Sequence, residues 1–173
     1  GKIPKNPAPG YIEVSITTAA GEERLGLYFL GTASIGSKRD STLTDEHATG
    51  AFADGDLVDV GADNAKMWWE NALRGKRIDF MGGHSLGSAI GQQVMEMLLG
   101  DSDRKTDTPV HGYFLGSPNL NTEESEQWKK NSDNVIFAHS ATDPITYAGK
   151  YTRSGRTIEA GAGELPVQRG LGG

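Results

Sequence analysis

The chain has 173 residues, of which 36% are hydrophobic and 23% are charged, a composition typical of a single globular domain. Its net charge of −6 disfavours nucleic acid as a partner, and the absence of cysteine excludes disulfides and thiol nucleophiles. No apolar run reaches the roughly 18 residues that span a bilayer, and the N-terminus lacks the apolar centre of a signal peptide. We expect one soluble domain over residues 1–173 with no integral membrane segment, and secretion stays open.

Two strands are predicted near the N-terminus. Residues 11–18 alternate polar and apolar side chains, which indicates a strand with one apolar face at a sheet edge. Residues 25–30 form a short apolar run, the pattern of a strand buried on both faces. Residues 31–62 are polar and are predicted as a long loop, a length that favours a functional segment.

Helices and strands alternate over the rest of the chain. The predicted elements are, in order, a helix at 64–74, a strand at 77–81, a helix at 86–99, a strand at 110–115, a helix that opens at Asn121, a strand at 134–138 and a final hairpin at 152–161. Asp63 or Asn64 is the expected cap of the first helix, and Glu124 would complete a capping box with Asn121. This alternation predicts an α/β fold, a mostly parallel sheet with right-handed crossovers and helices on both faces.

One motif lies at a predicted junction between a strand and a helix. Residues 83–87 (GHSLG) match Gly-x-Ser-x-Gly and stand where a nucleophile elbow lies, after a strand that ends at Met81. In such an elbow the serine occupies a strained turn, its hydroxyl is exposed, and the next amide points to where an oxyanion forms. Ser85 is therefore the candidate nucleophile. A glycine-rich turn that holds a phosphate, or nothing, is the alternative.

The segment GGHSLGSAIG resembles the elbow of the class 3 (fungal-type triglyceride) lipases, a family of the α/β-hydrolase superfamily. Four further segments resemble the family in the same order, namely LYFLGTAS, VDVGADNAKMWWENAL with Gly61 in a turn, FLGSPNLN and VIFAHSATDPIT. The resemblance covers residues 25–145. It implies an α/β-hydrolase-like fold and a serine esterase that cleaves carboxylic esters, with lipid or phospholipid esters as expected substrates and with neither cofactor nor metal.

The resemblance also implies a set of site residues. Ser85 would be the nucleophile, the amides of Leu86 and Thr32 would form the oxyanion hole, and Asp143 would orient the catalytic histidine. Leu30 stands where the family has an arginine. Asp143 precedes a proline, and a structural role as a turn-capping carboxylate stays open for it.

The chain departs from the family at the catalytic base, because no histidine follows His139. His139 is predicted at the carboxyl end of its strand, close to Asp143, and is the candidate base within the chain. His47 in the long loop is an alternative. A second alternative is that the base lies on a further polypeptide segment, either beyond Gly173 or on another chain.

The remaining histidines are expected to serve other roles. His84 is predicted to point into the fold, and His111 lies at the start of its strand, the end opposite the expected site. A serine without a base is a poor nucleophile, so the rival hypothesis is a non-catalytic domain that binds a lipid or a protein partner. Residues 35–60 lack a strongly apolar lid, which leaves a soluble ester or thioester open as the substrate.

Overall fold

The computed structural model describes residues 10–31, 57–104, 108–142 and 149–160, and the side chains of all of these except 57–61. The strands are β1 (Tyr11–Thr17), β2 (Glu23–Phe29), β3 (Ile78–His84), β4 (His111–Leu115), β5 (Val135–Ser140) and β6 (Arg156–Ala160). The helices are α1 (Leu57–Trp68), α2 (Leu86–Leu99) and α3 (Glu126–Asn131), with a π-helical turn (Trp69–Leu73) after α1 and a 3-10 turn (Ser132–Asn134) after α3. Thr32, His47 and Asp143 lie outside the described residues. None of the described helices is long and apolar enough to cross a membrane.

The strands form a six-stranded sheet in the order β1 to β6. β1 is antiparallel to β2, as suits the predicted edge strand, and every other neighbouring pair is parallel. The predicted α/β fold with a mostly parallel sheet is therefore confirmed. Because each parallel strand is added on the same side of its predecessor, right-handed crossovers bring α1, α2 and α3 to one face of the sheet. In the described ranges that face alone carries helices, and helices on the second face stay a prediction.

The core lies between the sheet and these helices. Trp68 and Trp69 are each 6% exposed and belong to this core. The Trp68 ring stacks on Phe29 with 6.2 Å between the ring centroids, and Phe114 of β4 contacts Phe137 of β5 at 5.6 Å. Burying side chains of this size stabilises a fold by about 1.5–3 kcal/mol each. The core thus fixes the strands that carry the predicted site.

The opposite face of the sheet is more exposed. The apolar side chains of β1, Ile12, Val14 and Ile16, are 50%, 45% and 40% exposed. They pair with Tyr28, Gly26 and Arg24 of β2, which alternate with the core residues of that strand. The predicted alternation of β1 is confirmed, and its apolar side faces away from the helices.

The first helix begins earlier than predicted. α1 starts at Leu57, so residues 57–62 are helical and not loop. Asp63 and Asn64 lie inside the helix and not at its cap, and Gly61 lies inside it and not in a turn. These residue types disfavour a helix interior by only about 1 kcal/mol or less each, and packing of α1 along α2 outweighs that preference.

Two predictions about the C-terminal part are wrong. The helix after β4 begins at Glu126 and not at Asn121, because Ser125 is the cap, with its Oγ accepting a hydrogen bond of 3.1 Å from the Trp128 amide. Glu124 instead accepts bonds of 2.8 and 2.7 Å from the amide and hydroxyl of Ser154. The predicted hairpin is also absent, since its second half is β6, which pairs in parallel with β5.

Candidate active site

Ser85 is the single residue between the end of β3 and the start of α2. Its backbone has φ 56° and ψ −125°, and among the described residues it is the only non-glycine with a positive φ. Such a conformation costs on the order of 1–3 kcal/mol and persists only where the surroundings enforce it. The strained turn predicted from the motif is therefore present at Ser85, which is partly exposed.

The flanking glycines show what enforces the strain. A Cβ atom on Gly87 would overlap the Phe29 carbonyl oxygen and lie 2.5 Å from that of Leu30. A Cβ atom on Gly83 would lie 2.7 Å from the Gly87 carbonyl carbon. Side chains at these positions would push the first turn of α2 away from β2 and β3. The two glycines thus allow the close approach on which the elbow depends.

Hydrogen bonds join the elbow to β4. The Ser85 amide donates to the Leu115 carbonyl at 2.9 Å, and the Ser88 hydroxyl donates to the same oxygen at 3.0 Å. The Ser88 amide also donates to the Ser85 carbonyl at 3.0 Å. The backbone of Ser85 is therefore held on the β4 side as well as on the β2 side.

The end of β2 passes beside the serine. A Cβ atom on Gly31 would lie 3.8 Å from the Ser85 Cβ, so the chain that leads into Thr32 runs next to the elbow. Leu86 opens α2, and the first amides of a helix have no partner within the helix. Leu86, whose amide stays a predicted oxyanion-hole donor, thus follows Ser85 directly, while Thr32 is outside the described residues.

His139 lies on the same edge of the sheet as Ser85. Leu115 pairs with Ala138, and the Gly116 amide donates to the Ala138 carbonyl at 2.8 Å. His139 is therefore level with Ser85, one intervening strand away, a separation of about 10 Å between backbones. No hydrogen bond joins the Ser85 hydroxyl to a histidine among the described residues. The structure thus places His139 on the same sheet edge as Ser85 without bringing the two side chains into contact.

The imidazole of His139 has a carboxylate partner that the sequence analysis missed. Its Nε2 lies 3.1 Å from Oε2 of Glu159, the residue opposite it on β6. The side chains of His139 and Glu159 are 20% and 60% exposed. Parallel pairing of β5 with β6 would have predicted that His139 and Glu159 lie side by side. The sequence analysis predicted a hairpin there instead and therefore missed the contact.

Of the two other described histidines, His84 differs from its prediction and His111 agrees with it. His84 was expected to point into the fold, but it is exposed, because β3 continues to this residue and turns it to the face opposite α2. Its Nδ1 would lie 3.7 Å from a Cβ atom on Gly31, so it borders the elbow. His111 is exposed at the start of β4, at the edge opposite Ser85, as predicted.

A cleft of about 620 Å³ lies at the other end of β3, away from Ser85. Its charged lining residues are Arg74, Lys76, Arg77, Asp101, Asp103 and Arg104. Lys76 forms an ion pair of 2.7 Å with Glu13, and Arg74 lies 3.9 Å from Asp103. Opposite charges are thus largely paired, and the cleft contains no part of the elbow.

No protein-family model matches this chain, and no curated protein matches it. The resemblance to class 3 lipases accordingly depends on the motifs in the sequence. The strained serine and the packed glycines are independent of that resemblance, since they are properties of the fold.

Proposed function

We propose that this protein is a serine hydrolase that cleaves carboxylic esters through an acyl-enzyme on Ser85. The observation that carries the proposal is the backbone of Ser85, with φ 56° at the carboxyl end of a central parallel strand. Strain of this kind is concentrated at functional sites, where it presents a side chain that ordinary backbone would not. A partly exposed serine followed by a helix N-terminus is suited to nucleophilic attack and to stabilising the resulting oxyanion.

The proposed reaction has two halves. The Ser85 oxygen attacks the ester carbonyl carbon while a base removes the hydroxyl proton, and the amides of Leu86 and Thr32 hold the oxyanion. Collapse of the intermediate breaks the ester bond, and the base returns the proton to the departing alkoxide. Water, which gives a proton to the same base, then attacks the acyl carbon. The bond to the Ser85 oxygen breaks as the base returns that proton to it, which releases the carboxylic acid and regenerates free Ser85.

We assign His139 as the base within the chain. A change of its side-chain orientation is required, because no hydrogen bond joins the imidazole to the Ser85 hydroxyl in this structure, where its Nε2 is paired with Glu159. A carboxylate beside the imidazole stabilises the protonated base, and Asp143 is the acid that the resemblance implies for this role. Glu159, whose Oε2 lies 3.1 Å from Nε2 of His139, is the alternative carboxylate for this role.

The proposed substrate class follows from the resemblance. Class 3 lipases act on lipid esters, so lipid or phospholipid esters are the first substrates to try. Short soluble esters and thioesters are the next, since the elbow chemistry is the same for all of them.

A non-catalytic domain that binds a lipid or a protein partner is the second candidate function. The observation that favours it is the Ser85 hydroxyl, which has no histidine partner among the described residues. A base supplied by a further polypeptide segment would reconcile that observation with catalysis.

Hydrolysis of a short-chain nitrophenyl ester tests the proposal. We expect turnover by the wild-type chain and a loss of several orders of magnitude in Ser85→Ala, with an unchanged thermal midpoint. Ser15→Ala, which alters an exposed serine of β1, is the matched control and should keep full activity. Equal activity in Ser85→Ala and the wild type would refute the hydrolase. A folded chain without turnover would favour the binding domain.

A further inference from the structure

The helix that follows the elbow, α2, carries two polar side chains on its buried side. Ser88 is fully buried and Gln92 is only 2% exposed, although the buried residues around them on α2 are mostly apolar or small. The two residues are four apart, so they lie on the same side of the helix. Burying a hydroxyl or an amide is unfavourable unless it is hydrogen-bonded. Their partners therefore show what these side chains do.

All of these partners lie in residues 115–118, the chain that leaves β4. The Ser88 hydroxyl donates to the Leu115 carbonyl at 3.0 Å. The side-chain amide of Gln92 donates through Nε2 to the Ser117 hydroxyl at 2.5 Å and to the Pro118 carbonyl at 3.3 Å. The Ser117 hydroxyl donates to the Pro118 carbonyl at 2.9 Å, which completes the network.

This turn borders the elbow directly. The Leu115 carbonyl that accepts from Ser88 also accepts from the Ser85 amide. Gly116 redirects the chain with φ 52°, and its amide donates to the Ala138 carbonyl, next to His139. Residues 115–118 thus occupy the space between the strand of the nucleophile and the strand of the candidate base. Whatever fixes this turn fixes one wall of the proposed site.

We propose that Gln92 and Ser88 are positioning residues, which hold the turn at residues 115–118 beside Ser85 and so set the geometry in which an ester is attacked. The inference rests on the proposed function. Both side chains are buried, so they would act through the turn. A displacement of about 1 Å at a reacting centre can reduce a rate by about 10²-fold, so a small movement of a turn that has lost the Gln92 bonds is enough to lower kcat.

The test compares two adjacent glutamines. Gln92→Met keeps the size of the side chain and removes the donor, and Gln93→Met makes the same change at a half-buried residue next to it. We expect kcat for a nitrophenyl ester to fall by about 10²-fold in Gln92→Met with little change in KM. Hydrogen exchange of the Gly116 amide should become faster in the same variant. Gln93→Met should match the wild type in both measurements.

Both measurements are made well below the thermal midpoints of the variants, so that a loss of folded protein does not enter. If Gln92→Met does not fold, Ser88→Ala takes its place, because it removes one hydrogen bond with little change of volume. We expect Ser88→Ala to lower kcat about tenfold through the loss of that one bond. Unchanged kcat in Gln92→Met, with an active wild type, would overturn the inference and leave the hydrolase intact. A wild type that neither turns over ester nor reacts at Ser85 would overturn both.

Discussion

Two parts of the same sheet edge are built in different ways. At the elbow, the Ser85 backbone is enforced by glycine contacts with β2 and by hydrogen bonds to β4. At the ends of β5 and β6, His139 and Glu159 meet through side chains that are 20% and 60% exposed. Exposed ion pairs contribute little to stability and are easily rearranged. The fold itself therefore fixes Ser85, the proposed nucleophile, whereas the orientation of His139, the proposed base, depends on a partner that can change.

The chain that leads into β6 is nevertheless firmly held. The Arg153 side chain is 1% exposed, with Glu96 of α2 at 3.3 Å and the Thr122 carbonyl at 2.7 Å. Burial lowers the pKa of Arg153, and the Glu96 carboxylate opposes that change. Its guanidinium also lies 5.6 Å from the centre of the Trp128 ring. The contrast with the elbow thus concerns the ends of β5 and β6, not their attachment to the core.

Gly87→Val should have the largest effect. Its Cβ would overlap the Phe29 carbonyl, and backbone cannot move aside as a side chain can. Ordinary overpacking costs roughly 1–3 kcal/mol, and a clash with backbone costs more, so we expect folded protein and activity to be lost together, measured by thermal unfolding. Gly100→Ala, at the C-terminal end of α2, is the control and should remain folded. A stable Gly87→Val protein would argue against the elbow.

His139→Ala tests the less firmly fixed half of the site. Because the base must accept the Ser85 proton, the variant should lose activity by several orders of magnitude. His111→Ala, at the opposite edge, should keep full activity. If His139→Ala retains activity, the base is His47, the exposed His84 or a residue of another segment.

Arg153→Met measures how firmly the approach to β6 is held. Removing the cation takes the hydrogen bond from the Thr122 carbonyl and leaves the Glu96 carboxylate with the Ser125 amide alone. Breaking a buried pair in this way costs about 3–5 kcal/mol, which denaturant unfolding would detect. Arg156→Met, at an exposed position of β6, should change the free energy of unfolding by less than about 0.5 kcal/mol. Equal effects of the two substitutions would contradict the account of Arg153.

Glu159→Gln should have the smallest effect on stability, below about 1 kcal/mol, because its carboxylate is 60% exposed. Its effect on activity separates the two carboxylates. If Asp143 is the acid, Asp143→Asn should lower kcat far more than Glu159→Gln does. The reverse order would make Glu159 the functional partner of His139.

The features that the sequence predicted are those encoded over short stretches. The alternation of residues 11–18 gave β1, and residues 83–87 gave the elbow, since glycine spacing and strand periodicity are local properties. The start of α1 at Leu57 and the pairing of β6 depend on contacts with distant elements, which no local pattern contains. The partnership of His139 with Glu159 was hidden for the same reason.

Reaction with a fluorophosphonate probe, followed by peptide mapping, tests most directly whether Ser85 is an activated nucleophile. The account predicts one label per chain, located on Ser85, in the folded wild-type protein. Ser85→Ala and the denatured wild type should remain unlabelled. Equal labelling of folded Ser85→Ala, or no reaction of the folded wild type, would contradict the account.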